Sequence, residues 1–100
     1  MVVVGLTRVG SGAPGGLPRL EALSGSARRT LAGVWAYRAN AEREAELRFL
    51  RLARELALVN APSEAVALAH RAVEDEQRHA ALCITLATHY GGSAPELRPV

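Results

Sequence analysis

The chain has 100 residues, a formal net charge of +2 and 12 basic residues, all of them Arg. That length holds one small domain at most, and a charge so near neutral does not point to a nucleic-acid partner. Hydrophobic residues make up 49% but aromatics only 4%, so the apolar mass is Ala, Leu and Val, which suits packed helices better than a β-sandwich, and the single Cys excludes an intrachain disulfide framework.

Residues 1–25 hold most of the glycines and two prolines, a density that opposes any regular element. A flexible arm is expected there, with room for one helical turn between Leu17 and Leu23. The opening "MVVVGLTRVGSG" has too short an apolar core for a signal peptide, and Arg8 follows that core instead of preceding it. No run approaches the roughly 20 apolar residues needed to span a bilayer. The expectation is a cytoplasmic protein, or one delivered without cleavage, with no membrane partner.

From Ser26 to Val59 only Gly33 opposes a helix, and Ser24 or Ser26 can cap its start. Leu31, Trp35, Glu42, Ala45, Phe49, Leu52, Leu56 and Val59 follow the spacing of one helical face. The other side carries Arg43, Arg48, Arg51, Arg54 and Glu55, and Glu44 precedes Arg48 in the favourable order for an i,i+4 pair. "NAPS" at 60–63 then punctuates the chain. Asn60 can end the helix in a left-handed conformation. Pro62 is tolerated in the first turn of the next helix, with Ser63 as an alternative cap. So short a connection makes the two helices antiparallel neighbours.

The second helix is expected from Ser63 to Tyr90, where "YGG" stops it, with Val66, Ala69, Val73, Glu76, Ala80, Cys83, Ala87 and Tyr90 as its inward stripe. The fold expected is all-α, an antiparallel hairpin over residues 26–92 followed by a disordered tail over 93–100. Cys83 reads as a small buried apolar residue. Trp35, Phe49 and Tyr90 read as core, His70 as solvated and His89 as a group capping the helix end.

Two charged groups break this pattern. Glu76 stands on the apolar stripe, and His79 lies three residues on, about 60° around the axis, so both point inward. On the first helix Glu42 sits between Trp35 and Phe49 in the same way, and antiparallel packing about the turn brings it near Glu76 and His79. Glu46, one turn on, faces nearly the same direction, and depth alone does not separate the two. Buried carboxylates cost several kcal/mol unless they are paired or bind metal. Glu-x-x-His with a further Glu from a neighbouring helix is half of a di-iron or di-manganese carboxylate site. The whole site needs four helices, and two helices do not close a core. A twofold dimer supplies both.

The run "DEQRHA" matches the D-E-x-R-H form of the ferritin-like di-iron signature, and "FLRLARELALVNAPSEAVALAHRAVEDEQRHAALCITLATHYGG" resembles a bacterial ferritin-like domain family frequent in myxobacteria. The resemblance extends over residues 26–92. It implies iron ligation by Glu42, in preference to Glu46, with Glu76 and His79, and a role for Asp75 in holding the partner's His ring through its free nitrogen. Members of that family carry a second helix pair with its own Glu and Glu-x-x-His. Here either a second copy takes its place, as in short encapsulated ferritins, so that a half-bundle is completed by dimerisation, or the site is incomplete. The implied activity is ferroxidase-type oxidation of ferrous iron, or iron handling, with dioxygen or peroxide as oxidant and manganese as an alternative metal. The rival expectation is a metal-free hairpin module that pairs its Glu and His with Arg38 or Arg78.

Overall fold

The computed structural model describes residues 19–99. The expected flexible arm therefore lies, over residues 1–18, outside the described residues. A single 3-10 turn, Leu20–Ala22, leads into two helices, α1 (Gly25–Leu58) and α2 (Ser63–Gly91), packed against each other. There are no strands among the described residues.

Local chemistry sets each boundary. The Ser24 hydroxyl accepts the Ala27 amide at 3.0 Å and caps α1. At the other end Asn60 adopts φ 56°. The Ala61 amide reaches back to the Leu56 carbonyl and the Asn60 amide to that of Ala57, the paired bonds of a Schellman stop. Pro62 is the residue before α2, and Ser63 is its first helical residue, its hydroxyl donating to the Glu64 carboxylate. So Ser63 does not cap the helix. Gly92 closes α2 at φ 82°, with its amide on the Thr88 carbonyl. His89 makes no cap. Its ring stands edge-on to Tyr90 at 4.9 Å, with Nε2 buried and without a hydrogen-bond partner among the described residues.

The core is Trp35 and Ala39 of α1 against Cys83, Leu86, Ala87 and Tyr90 of α2. It sits at the open end of the hairpin, where Leu20, Leu23 and Leu97 from the flanking segments pack on it. Small residues let the helices approach: Ala39 and Cys83 are fully buried. Two expected core members are elsewhere, since Leu52 and Val59 are exposed and Ala53 takes the inward position. Two helices offer only one line of mutual contact, so the outer half of a wide apolar stripe stays uncovered.

Ser93–Pro99 has no regular secondary structure, yet it is tied to α1. The Arg98 amide donates to Asn40 Oδ1 at 2.8 Å, Arg43 donates to the Arg98 carbonyl at 3.2 Å, and the Arg98 guanidinium pairs with Glu44 at 3.3 Å. Glu44 therefore pairs with the tail and not with Arg48.

Candidate metal centre

Glu42, Glu76 and His79 meet between the helices, each offering a donor atom within 4.8 Å of the others. α1 delivers Glu42 one turn beyond Ala39, where close packing leaves its carboxylate buried. α2 delivers Glu76 and His79 from successive turns. The His79 Nδ1 atom lies 2.9 Å from Glu42 Oε2 and 2.8 Å from Glu76 Oε1. The second oxygen of Glu42 faces the Arg38 guanidinium at 3.5 Å.

That geometry is unsatisfied in a specific way. One ring nitrogen carries either a proton or a lone pair, so a single Nδ1 does not fully serve two carboxylates. Two carboxylates this close also disfavour each other's ionised form. The Glu76 carboxyl is accordingly pushed up from its ordinary value, first by burial and then by Glu42, against the opposing hydrogen bond from His79. A divalent cation among the three donors removes the conflict, and two carboxylates with one imidazole suit iron or manganese. The residues present fit a metal.

The Glu76 shift has a measurable consequence for metal-free protein. A raised folded-state pKa means that the folded state holds the proton more tightly, so the contribution to stability is complete below the ordinary value of 4.5 and is lost as pH rises through the shifted one. Melting of chelator-treated protein is expected to fall between these limits on the way to neutrality. Glu76→Gln is expected to flatten that slope, and an unaltered slope in the variant would assign it to another group.

The neighbouring groups have distinct positions. Glu46 is engaged on the other side of the hairpin, accepting from Gln77 Nε2 at 3.0 Å, and does not join the cluster. Asp75 lines the same pocket as the cluster but is exposed and ion-paired with Arg78 of its own helix. Cys83, one turn beyond His79, is not among the converging donors. Burial, with Glu42 adding to it, pushes its thiol up, which disfavours the thiolate needed for ligation or attack. His70 is exposed.

The cluster forms the floor of a pocket of about 320 Å³ lined by Arg38, Glu42, Phe49, Ala72, Asp75, Glu76 and His79. Phe49, expected in the core, is half-buried at this wall. So is Ala72, which the spacing of apolar residues did not single out. The signal for it was its place one turn before Glu76.

Comparison of the chain with known protein families, with characterised proteins and with solved structures returned no match. No helix among the described residues is long and apolar enough to cross a membrane.

Proposed function

We propose that this chain is half of a carboxylate-bridged metal protein, in which two copies pair through the face carrying the pocket and hold two iron or manganese ions between them. One observation carries the proposal: two glutamates from different helices converge on the same ring nitrogen of His79, at the floor of an open pocket. Glu42, Glu76 and His79 of each chain would hold the ions. Such ions supply redox chemistry with dioxygen or peroxide, and ferrous oxidation or iron handling is the activity this supports best.

The chain's own groups prepare the site. Glu76, whose carboxyl burial pushes up, would have to be deprotonated to hold a cation. His79 must present the Nδ1 lone pair, which places its ring proton on Nε2. Arg38 can hold Glu42 Oε1 while Oε2 faces the cluster.

Pairing follows from the same face. Taking about 100° per residue from Glu42, Phe49, Arg38, Val34, Leu52 and Val59 all fall within about 100° on the pocket side of α1. On α2, Ala72, His79, Leu68 and Asp75 do the same relative to Glu76. Val34 is 49% exposed, Leu52 41%, Val59 72% and Leu68 57%, too much to leave in water across one face. Covering these side chains in both copies contributes on the order of 5–10 kcal/mol. Association costs roughly 4–15 kcal/mol, so apolar burial alone leaves pairing marginal and metal binding decides it.

A metal-free hairpin is the competing reading, favoured by the contacts among Arg38, Glu42, His79 and Glu76, which partly neutralise the cluster without an ion. Metal analysis of protein purified without chelator separates the two. About one iron or manganese per chain supports the shared centre, and protein free of transition metal even after anaerobic Fe(II) loading removes it.

A further inference from the structure

Glu42 is the buried carboxylate of the cluster, and a buried charge needs compensation whether or not an ion is present. Arg38 stands one turn before it on α1, in the wall of the pocket. Its guanidinium faces Glu42 Oε1 at 3.5 Å, while Oε2 faces His79. Arg28, Arg43, Arg78 and Arg98 are engaged elsewhere, with the Tyr90 carbonyl, the Arg98 carbonyl, Asp75 and Glu44. Of these guanidinium groups, that of Arg38 is the one that reaches the cluster.

The contact is long for a hydrogen bond, and the Arg38 side chain stays 38% exposed. Arg38 therefore acts mainly as a charge held loosely against one oxygen. That charge is felt beyond Glu42: burial and Glu42 push the Cys83 thiol up, and Arg38 opposes them. A cation among Glu42, Glu76 and His79 would meet the same charge across a single carboxylate.

We propose that Arg38 is a resident counter-cation, which neutralises Glu42 in the metal-free protein and keeps a bound metal ion exchangeable. The inference rests on the metal reading above and deepens it: the site loads and gives up its ion, as iron handling requires, and does not retain it as a permanent cofactor. Two effects oppose each other at one side chain. With the cluster empty, Arg38 lowers the cost of burying the Glu42 charge. With the cluster filled, like charges repel. For a divalent ion and a unit charge a few ångströms apart, even the dielectric constant of water leaves a repulsion worth about tenfold in affinity.

Mn(II) titration of the parent, Arg38→Gln and Arg38→Lys at low salt and about pH 8, where an ordinary imidazole is neutral, reads the outcome. Electron paramagnetic resonance counts the free ion. Gln keeps an amide that can donate to Glu42 but removes the charge, whereas Lys keeps the charge. Arg38→Gln is expected to bind Mn(II) about tenfold more tightly than the parent, to release it more slowly to a chelator, and to melt lower without metal. Arg38→Lys is expected to match the parent. The gap between parent and Arg38→Gln is expected to narrow as salt rises, because the partly exposed charge is screened. Affinity in Arg38→Gln equal to the parent's, or weaker, would overturn the counter-cation and leave Arg38 as a group that only orients Glu42. A parent that binds no Mn(II) or Fe(II) would instead remove the metal reading beneath it, so the two failures are distinguishable.

Discussion

Glu76→Ala and His79→Ala are each expected to abolish stoichiometric iron binding while leaving the two helices in place. Each removes one of three converging donors. Loss of a group that merely orients a metal ligand already costs about 10–100-fold in affinity, so loss of a direct donor is expected to exceed that range. Fold and ligation respond in opposite directions here. Glu76 is a half-buried carboxyl pushed up by burial and by Glu42, and deleting it relieves Glu42 of a like charge in the metal-free fold. Anaerobic Fe(II) titration together with a melting curve reads both effects. Glu46→Ala is the matched control, because Glu46 bonds to Gln77 on the other side of the hairpin. If Glu46→Ala loses iron binding and Glu42→Ala retains it, the α1 donor is assigned one turn too early.

Metal is expected to raise the melting temperature and the stability of the pair together. On the proposed pairing each chain supplies half of the ligands, so the ions would bind the assembled state more tightly than separated hairpins. Preferential binding stabilises that state by about 2.7 kcal/mol at a free metal concentration 100 times the dissociation constant. For a domain of this size each kcal/mol corresponds to roughly 4–8 °C, so the shift is large. Acid opposes it, because the imidazole and both carboxylates must be deprotonated to ligate. Melts with and without Mn(II) are expected to diverge near neutrality and to coincide once the pH is low enough to protonate the cluster. No divergence in the parent at metal far above protein concentration would count against a shared centre.

Much of this arrangement was legible in the residues. The hairpin is announced by Ser24, which acts through its hydroxyl, and by "NAPS" and "YGG", which act through their backbones. Asn60 takes the left-handed conformation that its side chain tolerates, and Gly92 does the same at the far end. The convergence of Glu42, Glu76 and His79 followed from register plus one antiparallel turn, since spacing along a helix is rigid and a short connection fixes the relative level of two helices. The failures are tertiary. Leu52 and Val59 satisfy the periodicity of an inward stripe but face outward, because a stripe wider than a single helix can cover leaves its flank exposed. Glu44 has an ideal helical partner in Arg48, yet a segment 54 residues away takes it. "SAPELRPV" has no periodicity from which such docking can be read. The choice between Glu42 and Glu46 also lay beyond spacing: in the structure Glu42 lies against His79, while Glu46 bonds to Gln77.

The claim that two half-sites make one metal centre is tested most directly by anaerobic Fe(II) titration followed by light scattering on the same sample. Bound iron and mass are then read together at each addition. The expected result is saturation at about one iron per chain, with all protein at twice the chain mass when saturation is reached. Saturation with the protein still a single chain, or no binding at any iron concentration, would contradict it.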